Sequence, residues 1–169
     1  RVSRADIAED TAGILGEDVP CRRLASRRFL VTGATGMIGQ YLVRALLALE
    51  QRDQEQKGDG ARVIAMTRRG DEAARIFASE LGGGRLEIMV HDPARPLPLL
   101  PQLDYIIHAG SPADPAVFRE DPVSVIVANA HGTANLLGAA KDHGAIFCLL
   151  SSAEIYGQGH DACVRGVEE

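Results

Sequence analysis

The stretch "FLVTGATGMIG" (residues 29–39) constrains this chain more than any other part of it. An apolar run stops at Gly33, glycine returns at Gly36 and Gly39, and a helical spacing of apolar residues follows. A strand, a glycine-rich turn and a helix in that order open a dinucleotide-binding fold. In such a turn Gly33 lets the backbone leave the strand sharply, and Gly36 lets main chain approach a pyrophosphate with no Cβ in the way. Gly39 lets the helix pack closely on the sheet. The phosphates then sit at the helix N-terminus, where unpaired N–H groups and the positive dipole end favour negative charge. The competing reading is a glycine-rich connection with no ligand; its place after the first strand of a repeating pattern argues for the nucleotide site.

That pattern runs along the chain. Apolar residues Ile38, Leu42, Ala45, Leu46 and Leu49 follow helical spacing over 37–49, and a charged, solvated loop comes next. Strands are expected at 29–32, 62–66, 85–90, 104–109 and 145–151. Between them, helices are expected at 71–81 and at 122–143, the second with Ile126, Ala130, Thr133 and Leu137 at helical spacing. The proline-rich stretch 93–101 suits neither a regular helix nor an inner strand. Strands that are apolar throughout need cover on both faces, so the expected fold is α/β, a Rossmann-type doubly wound parallel sheet truncated after the fifth strand. Residues 1–28 read as a partly helical N-terminal extension, and 29–169 as the NAD(P)-binding domain.

Composition narrows the class. The chain has 169 residues, enough for one domain with its own core, and a formal net charge of −5 argues against a surface built for nucleic acid or anionic lipid. No apolar run approaches the roughly 18 residues of a membrane span. Cys21, Cys148 and Cys163 are odd in number and unpaired in pattern, which implies reduced thiols and a cytoplasmic protein. His160 and Cys163 lack further ligands nearby in sequence, so no metal is assigned.

Four segments in order, "VTGATGMIGQYLVRALL", "DYIIHAGSPADP", "VANAHGTANLLGAA" and "LLSSAEIYG", resemble the extended short-chain dehydrogenase/reductases. More narrowly, they resemble the NAD-dependent epimerase/dehydratase group that modifies nucleotide sugars, over residues 28–160. The resemblance implies a cofactor cradle of Gly33, Thr35, Gly36, Met37, Ile38 and Gly39. It implies that Asp92 and Pro93 stand against the adenine, with a turn residue before Pro93 as the alternative for Asp92. Ala109 and Gly110 would line the cofactor, Asn129 would support the active-site backbone, and Ser151 would lie near the cofactor.

At the end of the second strand, Thr67, Arg68 and Arg69 stand where an acidic residue would mark NAD, and two guanidinium groups suit a 2′-phosphate. The cofactor is therefore NAD or NADP, with a lean to NADP from Arg68 and Arg69; a solvated pair balancing Asp71 and Glu72 is the alternative.

Enzymes of this group take hydride from a sugar carbon and later return it, so the implied partner is a nucleotide sugar. By the resemblance Ser152 is the catalytic Ser/Thr, and Glu154 is an acid/base group on the keto intermediate. Ala153 is like the 4-epimerases, Glu154 is like the decarboxylases and dehydratases, and the "SPADP" loop leans toward the UDP-glucuronate decarboxylases. The Tyr-x-x-x-Lys pair that usually performs proton transfer is absent, since Tyr41, Tyr105 and Tyr156 have no lysine four residues on. The pair, a sixth strand and the substrate domain are expected beyond Glu169, so this chain alone should bind cofactor and turn over nothing. At full length a homodimer is expected. Competing readings are a non-catalytic NAD(P)-binding sensor or partner-binding module, and a reductase of small substrates.

Overall fold

A computed structural model describes residues 9–11, 13, 24, 26–49, 60–112, 115–152 and 155. Five strands form one sheet: β1 (Arg28–Thr32), β2 (Arg62–Thr67), β3 (Leu86–Val90), β4 (Tyr105–His108) and β5 (Ile146–Leu149). All pairings are parallel, in the order β3-β2-β1-β4-β5. The chain turns back at the centre, between β1 and β4, and this is where open α/β sheets place a ligand crevice.

The helices are α1 (Met37–Ala48), α2 (Gly70–Ile76), α3 (Pro115–Glu120) and α4 (Pro122–His143). Alternation along the strands divides the core into two. Phe29, Val31, Val63 and Ala65 face α1 and α2, packing with Val43, Leu46, Leu47, Ala73 and Phe77. Leu30, Ile64, Met66 and Ile106 face the other way, against Leu136 and Ala140 of α4. No helix joins β3 to β4; the proline-rich stretch crosses there instead, and its Leu100 and Leu103 cover that second face. Each fully buried side chain of this size contributes about 1.5–3 kcal/mol.

The ends of α4 follow from local chemistry. Asp121 accepts the Ser124 N–H at 3.1 Å, and Pro122 opens the first turn. Gly144 ends the helix in a left-handed conformation, φ 63°, and the Ala145 N–H reaches back to the Ala140 carbonyl at 2.8 Å.

Several expectations shift. The helix expected over 71–81 ends at Ile76, because Phe77 turns into the core and the Arg44 guanidinium takes the Ile76 carbonyl at 2.8 Å. Arg44 also pairs with Glu80 at 3.0 Å and lies over the Phe77 ring, so the link between α2 and β3 is tied to α1. A short 3-10 turn, Leu81–Gly83, completes that link. Helix α3 was not expected; it follows the turn after β4 and packs beside α4.

The apolar stripe expected on α1 is right at Leu46, which is in the core, and at Leu42 and Leu49, which pack against it, and wrong at Ile38; the stripe expected on α4 lies on the wrong face. Ile38 is exposed, and α1 buries Gly39, Val43, Leu46 and Leu47. Helix α4 buries Val125, Gly132, Leu136 and Ala140, while Ile126, Ala130 and Leu137 face outward. The small residues Gly132 and Ala140 decide this, because they let α4 lie close; a Cβ on Gly132 would already touch the Pro93 ring at 3.7 Å.

Candidate functional site

At the carboxyl ends of the strands lies a crevice of about 180 Å³. Its lining comes from the loops that follow β1, β2, β3 and β4 and from one residue of α4. The turn after β1 supplies Gly33, Thr35 and Gly36, and the end of β2 supplies Thr67, Arg68 and Arg69. His91, Asp92 and Pro93 follow β3, while Ala109, Gly110, Ser111 and Pro112 follow β4. Ala128 of α4 closes the remaining side.

The glycines divide the work of the turn. Gly33 has φ +64°, a left-handed conformation, and a Cβ there would stand 2.6 Å from the Gly110 Cα. The lips of the crevice are thus in backbone contact at its floor. Gly36 caps α1 and is exposed toward the crevice. Gly39 is buried beneath, and a Cβ on it would collide with the Gly33 carbonyl. Helix α1 carries no acidic residue in its first turn and no side-chain cap, so its N–H groups and positive dipole end are left for an anion.

Two threonines join the first and second loops, with the Thr35 and Thr67 hydroxyls 3.2 Å apart. The Arg69 N–H donates to Thr67 Oγ1 at 3.1 Å, and its guanidinium lies 3.4 Å from Thr35 Oγ1 and 2.7 Å from Glu72. Arg68 is exposed beside it. One Asp92 carboxylate oxygen accepts the Ala94 N–H at 3.0 Å, so this residue serves the turn as well as lining the crevice.

Of the residues read from the sequence, Gly33, Thr35, Gly36, Arg68, Arg69, Asp92, Pro93, Ala109 and Gly110 converge on this one crevice. Met37 and Ile38 point to solvent at its edge, 66% and 50% exposed. Asn129 lies one step back: its Oδ1 accepts the Ser111 hydroxyl at 2.9 Å, which ties the β4 lip to α4. Ser151 and Ser152 are exposed after β5, on the same carboxyl edge of the sheet. Glu154, His160 and Cys163 lie outside the described residues. No group of three or more His, Cys, Asp or Glu suited to a metal occurs among the described residues, and none of their helices is long and apolar enough to cross a membrane.

Sequence reasoning missed the pair beneath the crevice. Thr32 and His108 end β1 and β4 in register, both buried, with Thr32 Oγ1 2.7 Å from His108 Nδ1. Burial pushes the His108 imidazole below its ordinary pKa, so it is held neutral. A polar residue closing each of two otherwise apolar strands, "LVT" and "IIH", was the available signal.

A crevice with a glycine floor, an acid-free helix N-terminus above it and arginines at the β2 end fits the pyrophosphate and ribose of a dinucleotide.

Comparison with known proteins agrees. The family model described as NAD dependent epimerase/dehydratase family matches residues 29–168. UDP-glucuronic acid decarboxylase 1 of Arabidopsis thaliana is 36% identical over 132 residues, covering 77% of this chain and 27% of that protein. UDP-glucuronic acid decarboxylase 6 of the same plant is 34% identical, covering 79% of this chain and 36% of its own length. The Danio rerio UDP-glucuronic acid decarboxylase 1 is 31% identical, with 78% and 28% covered. The chain thus spans 27–36% of the length of these curated relatives.

Solved structures share the fold. UDP-N-acetylglucosamine 4-epimerase from Methanobrevibacter ruminantium M1 superposes with TM-score 0.64 at 19% identity, over 84% of this chain and 43% of that one. A UDP-glucose-4-epimerase from Stenotrophomonas maltophila, with bound NAD and formylated UDP-arabinopyranose, gives TM-score 0.58 at 24% identity, over 79% and 40%.

Proposed function

Because the chain belongs to the NAD dependent epimerase/dehydratase family, we propose that it is the dinucleotide-binding portion of an enzyme that remodels a nucleotide sugar, nearest in kind to a UDP-glucuronate decarboxylase. The observation that carries this reading is the convergence of nine expected residues on one crevice at the β1/β4 reversal. The activities of these relatives support the decarboxylase direction over the other branches. Residues 29–169 form the cofactor domain in this reading, and 1–28 an extension of it.

A bound dinucleotide would supply a reversible hydride acceptor. The chain's own residues bind and orient it. Gly36 and the first turn of α1 receive the pyrophosphate, Asp92 and Pro93 flank the adenine, and Ala109 and Gly110 leave room beside the nicotinamide half. Ser152 would donate a hydrogen bond to the reacting sugar oxygen, and Glu154 would exchange a proton with the oxidised sugar. The Tyr-x-x-x-Lys pair that this group usually uses for proton transfer is not within the 169 residues. The full-length enzyme is proposed to be a homodimer.

Arg68 and Arg69 favour NADP over NAD in this proposal, since charge-assisted bonds to a 2′-phosphate are about twice as strong as neutral ones. Titration of the protein with each dinucleotide tests it. NADP should bind about tenfold more tightly, and the Arg68→Ala/Arg69→Ala variant should lose that margin while keeping its NAD affinity. Equal wild-type affinities would remove the NADP preference, and binding of neither dinucleotide would remove the function itself.

A further inference from the structure

The crevice wall that follows β3 opens a stretch with few means of holding itself in place. No helix or strand forms between β3 and β4, and Pro93, Pro96, Pro98 and Pro101 have no N–H to give. Among the described residues, no backbone–backbone hydrogen bond involves 96–103. The turn at the start of this stretch does close on itself. The Arg95 N–H reaches the Asp92 carbonyl at 2.9 Å, and one Asp92 carboxylate oxygen accepts the Ala94 N–H at 3.0 Å. On the upstream side, the His91 N–H bonds the Thr67 carbonyl at 2.9 Å. These bonds give the turn its shape and its point of departure from the sheet, but leave its downstream limb to swing.

Helix α4 holds that limb. Asn135 Nδ2 donates to the Pro93 carbonyl at 2.8 Å and to the Arg95 carbonyl at 3.1 Å, so both amide protons are used. Only the nitrogen end of an amide can meet two carbonyl oxygens, which gives the side chain one orientation. Near one turn earlier in the helix, Gly132 is buried beside the Pro93 ring, where an added Cβ would make contact at 3.7 Å. Asn135 thus grips the turn by its main chain, while Asp92 and Pro93 line the crevice.

We propose that Asn135 is a positioning residue for the wall that receives the base: through the Pro93 and Arg95 carbonyls it sets where the Asp92 carboxylate stands against an adenine ring. This inference rests on the dinucleotide-binding reading, in which Asp92 and Pro93 flank adenine, and adds to it the residue that holds them there. The chemistry of the wall follows. With one oxygen turned to the Ala94 N–H, the other Asp92 oxygen is an acceptor only. It suits the 6-amino group of adenine and not the 6-oxo group of hypoxanthine.

The test compares the preferred dinucleotide with its hypoxanthine analogue, each titrated by calorimetry. The wild type should favour the adenine form about tenfold, as expected for one hydrogen bond to a charged group. Asn135→Ala should shrink that preference to about twofold by weakening the adenine form, with the hypoxanthine form held within about twofold of wild type. Asn135→Ser, a milder change that keeps one donor, should fall between the two and serves where Asn135→Ala does not fold. Equal losses for both ligands are what a merely structural role would give, and they overturn the inference, as does an unchanged preference in the variants. A wild type that binds both ligands equally overturns the placing of Asp92 against adenine, and the inference with it. Failure of the wild type to bind either one overturns the dinucleotide-binding reading itself.

Discussion

Gly39→Ala sets two effects of known size against each other. Gly39 lies inside α1, where alanine is favoured over glycine by about 0.8–1 kcal/mol. Against that, the new Cβ would collide with the Gly33 carbonyl oxygen and stand 2.8 Å from the Ala34 Cα and 2.9 Å from the Gly33 carbonyl carbon. All three are backbone atoms of the crevice turn, which cannot rotate away as a side chain would. Overpacking of this kind costs about 1–3 kcal/mol and more where the neighbours are rigid. The steric cost wins, and a net loss of about 1–2 kcal/mol is expected. Gly138→Ala is the control. It also sits within a helix, α4, but nothing lies within 4 Å of its added Cβ, so it should gain up to about 1 kcal/mol. Urea titration of the three proteins reads both signs as shifts in midpoint. A Gly39→Ala protein as stable as Gly138→Ala would refute the claim that this glycine is required by the close seat of α1.

Two further outcomes are expected. His108 has a lowered pKa when folded, so between that value and the ordinary 6.5 the unfolded chain binds more protons; stability is complete above about pH 6.5 and lost as pH falls toward the folded pKa. Denaturation at pH 8 and 5.5 should show His108→Phe losing less than wild type over this interval, and identical pH dependence would contradict a buried neutral imidazole. Asp121→Ala removes the side-chain acceptor for the Ser124 N–H and should cost about 1 kcal/mol, a fall of about 3 °C in Tm; an unchanged melting curve would mean the α4 cap contributes nothing.

What the sequence disclosed follows the range of the physics involved. The ends of α4 were legible because Asp121, Pro122 and Gly144 act on their immediate neighbours. The strands were legible because burial on both faces requires unbroken apolar runs such as "RVIAM". The crevice was legible as a gathering of loop residues, since a parallel sheet brings all its strand ends to one edge. Which stripe of α4 faces the sheet was not legible. Ile126 and Leu137 are as apolar as Leu136, and only the fit of Gly132 and Ala140 against the surface beneath separates the faces. Ile76 as the end of α2 was hidden for a similar reason: the residue that takes its carbonyl, Arg44, is 32 positions away. Thr32 and His108, 76 residues apart, become partners only once β1 and β4 are adjacent.

That separation also governs the order in which the molecule can assemble. Strand β1 meets β2 after α1 and one intervening segment, but its partner on the other side, β4, comes only after β2, α2, β3 and the proline-rich crossing along the chain. Closing so long a loop is slow, because its entropy is lost before the contact rewards it. The early β1–β2 unit already contains the glycine turn, yet it has one lip of the crevice and not the other. Dinucleotide binding during refolding should therefore appear in the last kinetic phase, as a signal that β4 has reached the centre of the sheet.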